Sequence, residues 1–342
     1  MIWSPGKKLK NELYTVDEVL RHGRLSVTYL ATSMKGDRVV IKAMNDQAIA
    51  PADLAKLRQR FSDEAATLIR CESRHIVKVE NLFEEEGLSC IPMEFVSGMT
   101  LDKRNPLKLP EAEALRYIRQ IGEALEVLER RNFLHRDITP HNIMLRSNAG
   151  INEAVLIDFG LVRDLDIKVS TLLASDVTAF TAPELCDSGE ERGHYTSLYA
   201  LGAVLFALIT GTNPPQAVRR KANEKLPFPA GTHPEIAAAI EEAMQLDSRK
   251  RPPLTAWLKT LPDIEVSQPM QPIVLPAETP EARRTRIEDT QIGFSKLQTI
   301  TGIAAAIVGA LGLVIAFMTY QFPKEAPKAV ESTPMVQPAK SK

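Results

Sequence analysis

From Tyr14 to Val96 the chain alternates short runs of branched and aromatic residues with charged or glycine-containing breaks. The runs YTVDEVL, VTYLATS, RVVIKAM, VKVENLFEEEG and LSCIPMEFV have the length and the Val, Ile, Tyr and Phe content of β-strands. One segment among them, FSDEAATLIRC, has a polar start and apolar residues at helical spacing. After Glu111 the period changes. EAEALRYIRQIGEALEVLERR repeats its apolar residues every third or fourth position, which predicts an amphipathic helix. LYALGAVLFALITG is apolar throughout but too short to cross a bilayer, so it predicts a helix buried in a core. The pattern therefore predicts an α+β architecture: a small β-rich part followed by a larger helical part.

Beyond Pro262 the pattern breaks down. Residues 263–298 are rich in proline and charge, and clustered proline predicts an extended linker. Residues 299–320 include ITGIAAAIVGALGLVIAFMTY, an uncharged stretch of the length that spans a hydrocarbon core, and predict one transmembrane helix. Residues 321–342 form a short polar tail. Arg283, Arg284, Arg286 and Lys296 precede the span, while Lys324 and Lys328 follow it, so the larger N-terminal side is expected in the cytoplasm. Ala305 and Gly309 have the small-xxx-small spacing that lets two helices approach, which admits a homodimer.

Composition narrows the classes. A chain of 342 residues with 44% hydrophobic content can bury one large core or two smaller ones. The net charge of -1 provides no global basic field, so nucleic acid is not an expected partner. Cys71, Cys90 and Cys186 have neither metal-ligand spacing nor a disulfide framework and read as small buried residues in a reducing compartment. The first thirteen residues, beginning MIWSPGKKLK, have no apolar run of the signal-peptide kind and are expected to form an extension ahead of the folded region.

Phosphoryl transfer from a nucleotide needs a cation on the phosphates, a metal-binding pair and a group that orients the acceptor. Such residues occur in order. VVIK ends in Lys42, Glu64 lies on the predicted helix FSDEAATLI, and HRD at His135–Asp137 is followed by Asn142. VLIDFG supplies Asp158, Phe159 and Gly160 after an apolar strand, APE stands at Ala182–Glu184, and DSRKRP carries Arg251.

This ordered set over residues 14–262 resembles the eukaryotic-type (Hanks-type) protein kinases, in particular the bacterial serine/threonine kinases with a C-terminal membrane anchor. The resemblance implies a two-lobed kinase fold, with an N-lobe at about 14–96, a C-lobe at about 97–262, and ATP and Mg²⁺ (or Mn²⁺) in the cleft between them. Lys42 would contact the α- and β-phosphates, and Glu64 would orient Lys42. Asp137 would act on the acceptor hydroxyl, Asn142 and Asp158 would hold metal, and Glu184 would pair with Arg251. Met93 would be the gatekeeper and Glu94 to Val96 the hinge. Thr28, Val40 and Leu145 would line the adenine pocket, below the glycine-rich loop that contains Gly23. Partners would be protein substrates with serine or threonine acceptors, and membrane lipid around the C-terminal helix.

The chain departs from the family at several points. Arg21 and Ser26 stand at two of the three loop glycines, which predicts weaker ATP affinity. Thr139 replaces the lysine that in the family helps hold the γ-phosphate and completes the catalytic set. Its usual threonine partner becomes Val177, with Phe180 at the next distinctive position. The joint replacement predicts a differently built acceptor site. Ser197 replaces an aspartate that braces the HRD backbone, so Asp137 is expected to be held less firmly. Arg136 before the catalytic aspartate predicts regulation by phosphorylation within Ser170 to Thr178, where Ser170, Thr171, Ser175 and Thr178 are available. The main reading is a membrane-anchored serine/threonine kinase. The alternative is a weakly active or inactive pseudokinase serving as a nucleotide-responsive membrane scaffold. A small-molecule kinase fits HRD and APE less well, and the residues after Asp137 do not resemble a tyrosine-kinase loop.

Overall fold

A computed structural model describes residues 2–23, 26–45, 51–148, 151–159, 178–186, 192–222 and 224–264. Among these no helix is long and apolar enough to cross a membrane. The span expected at 299–320, the tail and nearly all of the linker lie outside the described residues.

The N-lobe is built on an antiparallel sheet. Its strands are β1 (Lys8–Leu9), β2 (Tyr14–His22), β3 (Ser26–Ser33) and β4 (Arg38–Met44). Helix α1 (Pro51–Ile69) follows, then β5 (Phe83–Glu85) and β6 (Leu88–Glu94). The spatial order is β1-β2-β3-β4-β6-β5. Helix α1 starts well before the segment expected to be helical, with Pro51 in its first turn, where the missing N–H costs nothing. It turns Leu57, Phe61, Ala65 and Leu68 toward the core, the stripe a helix presents at intervals of three and four. The run VKVENLFEEEG is not one strand. It contributes an isolated bridge, Val79 to Met93, and then β5, because Glu80 and Asn81 face solvent between them.

The extension ahead of residue 14 is part of this lobe. Trp3 and Leu9 are buried in its outer core, and the Trp3 ring lies 5.1 Å from that of Tyr29. The Trp3 indole N–H donates to Glu86 at 2.8 Å, and Lys7 reaches the same carboxylate at 2.6 Å.

The C-lobe begins with β7 (Gly98–Thr100) and the amphipathic helix α2 (Glu111–Glu129), then β8 (Ile143–Asn148) and β9 (Ile151–Leu156). Strands β7-β8-β9 form a second sheet. Four helices complete the lobe after α3 (Pro183–Cys186): α4 (His194–Thr210), α5 (Ala217–Lys221), α6 (Pro234–Ala243) and α7 (Leu254–Thr260). The run LYALGAVLFALITG is α4, buried on all sides as its composition predicts. Gly202 lets α4 meet α6, since a Cβ there would lie 2.6 Å from that of Ala243. Gly211, at φ +79°, ends α4 in the left-handed conformation and donates its N–H to Ala207 at 2.8 Å.

Glu184 and Arg251 form a fully buried ion pair, with Nη1–Oε1 at 2.7 Å and Nη2–Oε2 at 3.0 Å. Arg251 also donates to the carbonyls of Gln245 and Tyr195, and its guanidinium lies 4.9 Å from the Tyr199 ring centre. The fork geometry satisfies both charges where no water reaches them. Arg251→Met should therefore destabilise the chain by about 3–5 kcal/mol in urea unfolding, because it strands the Glu184 carboxylate. The double variant with Glu184→Gln should lose clearly less. Equal losses would mean that the pair is not coupled.

Candidate active site

The period of two along the N-lobe strands sorts the cleft residues. Val39 and Ile41 face the outer core, so Val40 and Lys42 share the opposite face of β4. Antiparallel register carries that face sideways. Thr28 pairs with Lys42, Val40 with Met93, and Arg21 with Thr28. Thr28, Val40, Lys42, Met93 and Arg21 thus line one side of the sheet. Below it, Leu145 of β8 is buried. Between the lobes, Glu94 accepts from Arg146 of β8 at 2.6 Å, and Val96 is buried. Gly98 then crosses so close to β8 that a Cβ would fall 1.9 Å from the Leu145 carbonyl oxygen. Only glycine fits there, a requirement that sequence reading did not register.

The loop carrying His135, Arg136 and Asp137 follows α2. His135 is buried, with its ring 5.0 Å from that of Phe159. Burial pushes its pKa down to about 4, so the ring is neutral and its Nδ1 accepts the Asp137 backbone N–H at 3.3 Å. Arg136, between them, takes a left-handed φ of +59°, a conformation disfavoured for a side chain with a Cβ. A short 3-10 turn, Pro140–Asn142, then begins after half-buried Thr139. The Asn142 amide donates to the carbonyl and the carboxylate of Asp137, at 2.8 and 3.0 Å. Both neighbours are acceptors, which fixes the amide orientation. Asp137 is therefore braced by Asn142. Ser197, read as its weakened support, is buried on α4.

Asp158 follows β9. Its Oδ1 lies 2.5 Å from the Lys42 ammonium, and its Oδ2 lies 3.3 Å from Arg21 Nη1. Lys42 also donates to the Phe159 carbonyl at 3.2 Å. Burial works to raise the Asp158 pKa, but Lys42 and then Arg21 outweigh it and hold the carboxyl below its usual range. The Lys42 ammonium, which the family resemblance would pair with Glu64, contacts Asp158 in this structure. Glu64 Oε2 is buried without a hydrogen-bond partner, and the strongest favourable charge on Glu64 comes from Arg136, ahead of Lys42.

A hard divalent cation such as Mg²⁺ takes oxygen ligands, commonly one or two from protein with water and phosphate completing the shell. Asn142 Oδ1 is buried and unpartnered, and the Asp158 carboxylate follows Ile157, whose N–H bonds the Asn142 carbonyl at 3.0 Å. An oriented amide oxygen without a donor, beside a low-pKa carboxylate, fits such an ion. Gly160, Ser170, Thr171, Ser175 and Val177 lie outside the described residues. At the end of that stretch, Thr178 and Thr181 are tied together: the Thr178 N–H donates to Thr181 Oγ1 at 2.9 Å. Phe180 is largely buried.

The protein kinase domain family matches residues 14–261. Among characterised proteins, the chain is similar to the probable serine/threonine-protein kinase zyg-1 of Caenorhabditis elegans, 29% identical over 68% of this chain and 31% of zyg-1. It is also similar to the serine/threonine-protein kinase PknE of Mycobacterium bovis, 27% identical over 70% of this chain and 43% of PknE. The chain thus spans less than half the length of these relatives. Two solved structures share the fold. The apo form of PpkA-294 aligns with 76% of this chain and 99% of its own at a TM-score of 0.63 and 23% identity. A mutant kinase domain of Mycobacterium tuberculosis PknI aligns with 76% and 98% at a TM-score of 0.58, again with 23% identity.

Glu64 offers a direct test of the site's electrostatics. Burial raises its pKa from 4.5 to about 7, against the opposing pull of Arg136, Lys42 and Arg60, while Asp63 adds to the rise. The folded chain holds a proton that the unfolded chain has released, so stability present below the unfolded value is lost as pH rises through about 7. Glu64→Gln removes this titration. Its melting temperature relative to the native chain should climb between about pH 5 and about pH 8 and then level off. Parallel curves would show that Glu64 titrates normally.

Proposed function

The chain belongs to the protein kinase family, and from that premise we propose that it moves the terminal phosphate of ATP to serine or threonine hydroxyls of protein substrates while tethered to a membrane. The carrying observation is the Asp158–Lys42 contact beside the unpartnered Asn142 oxygen. On this reading Lys42 releases Asp158 and turns to the α- and β-phosphates when nucleotide enters. Adenine lies against Val40, Thr28, Met93 and Leu145, with the backbone of Glu94 to Val96 at its edge. Asn142 and Asp158 would hold Mg²⁺ or Mn²⁺, which would supply charge neutralisation for the phosphate oxygens. Asp137, held by Asn142, orients the acceptor hydroxyl and takes its proton as the new P–O bond forms and the bond to ADP breaks. Half-buried Thr139 offers a hydroxyl at the acceptor side, and Glu64 would steady Lys42 when the ammonium leaves Asp158.

The uncharged stretch at 299–320 supports a single-pass anchor with residues 14–262 as the cytoplasmic kinase domain, because ATP is on that side. The Pro-rich linker 263–298 then sets the reach of the domain from lipid, and Ala305 and Gly309 admit pairing of two spans. A second reading, a nucleotide-responsive membrane scaffold of low activity, draws on the two cations that meet at Asp158.

The full-length chain, incubated with labelled ATP, Mg²⁺ and a generic protein substrate, should label serine or threonine. Asp158→Asn should reduce the rate by at least about a hundredfold, the scale of losing a principal electrostatic group. ATP binding without transfer would favour the scaffold. Phosphate incorporated into the chain itself should map within Ser170 to Thr178, where Arg136 can pair with it. Modification found only elsewhere would refute that regulation.

A further inference from the structure

Arg21 occupies the first glycine position of the loop over the cleft, and the departure first reads as a loss of flexibility. The register gives it another meaning. Arg21 of β2 pairs with Thr28 of β3, which pairs with Lys42 of β4, so both cations leave the same face of the sheet. Both reach Asp158, one on each carboxylate oxygen. They are held unequally. Lys42 is buried and 2.5 Å away, whereas Arg21 is half-exposed and 3.3 Å away. A half-exposed pair of this kind contributes little, so it does not close the cleft against a polyanion.

Two further facts leave a cationic role open at this place. The surviving loop glycine, Gly23, donates its N–H to the Ser26 carbonyl at 2.9 Å, so that donor is committed to the turn. On the other side of the cleft, Thr139 brings a hydroxyl and no charge. The carboxylates of Asp137 and Asp158 must nonetheless accept a triphosphate beside them. A guanidinium matches phosphate oxygens with paired N–H donors.

We propose that Arg21 is a phosphate-holding residue: on nucleotide binding its guanidinium passes from Asp158 to the terminal phosphates and supplies the positive charge that position 139 lacks. The inference rests on the kinase reading above and adds a side chain to it.

Binding of ATP with Mg²⁺ and of adenosine to the full-length chain, measured by calorimetry, separates the alternatives. Arg21→Gln should weaken ATP roughly five- to tenfold, the range for one charge-assisted contact at a partly exposed site, and leave adenosine unchanged. Arg21→Lys should keep most of the ATP affinity. Thr139→Lys in the Arg21→Gln background should recover it. The ratio of ATP to adenosine affinity is unaffected by any loss of folded protein. Unchanged or tighter ATP binding by Arg21→Gln would overturn the proposal and make Arg21 a plug on Asp158. An equal loss for adenosine would make its role structural. A native chain that binds neither ligand would overturn the kinase reading itself.

Discussion

A carboxylate at the bottom of a cleft cannot remain without a cation, and Asp158 is where this constraint acts. Its carboxylate comes from the end of β9 in the C-lobe, and the cations that answer it come from β4 and β2 in the N-lobe. The contact therefore couples chemistry to lobe arrangement. With Lys42 on Asp158, the buried Glu64 carboxyl is pushed up by desolvation, against the opposing fields of Arg136 and then Lys42. Phe159 is carried against His135, and that packing accompanies a neutral imidazole that accepts the Asp137 N–H. One charge balance thus connects the loop over the cleft, helix α1 and Asp137.

The Glu184–Arg251 pair plays a different part. It has two charges, complementary forks and no solvent, so it tolerates one geometry only. It fixes the chain just beyond Thr181 to the turn ahead of α7. Phe159, packed in the core, fixes the chain at the other end. Phe159 and Glu184, both buried, thus lie on either side of the positions proposed to be phosphorylated.

Much of this was legible in the sequence because the relevant signals are local. Strand alternation around Lys42, the unbroken apolar run of α4, and the spacing from Asp137 to Asn142 each declare themselves within a few residues. The span at 299–320 rests on its sequence alone. What escaped was contact across distance. Arg21 and Asp158 are far apart in the chain, and a missing glycine shows what a loop has lost, not what the new side chain touches. The pairing of Glu64 with Lys42 follows from motif order, whereas the contact of Lys42 with Asp158 joins β4 to the chain after β9, far away in sequence. Gly98 looks like an ordinary loop glycine until the Leu145 carbonyl is placed against it. Trp3 lies in a stretch without periodicity, and its burial depends on Tyr29 and Glu86, neither of which is near it in sequence.

That N-terminal strap has a consequence for the sheet. Strand β2 is nine residues long, and its outer side would otherwise present unpaired backbone groups. The strap covers part of it: Gly6 N–H donates to the Val16 carbonyl, Val16 N–H to that of Lys7, and Lys8 and Leu9 pair with Thr15 and Tyr14. An open strand edge is a template on which another chain can add, and it is the usual starting point of sheet-to-sheet association. The buried Trp3 thus acts as a peg that keeps a short guard strand in place, and this strap keeps the sheet from growing into that of a neighbouring molecule.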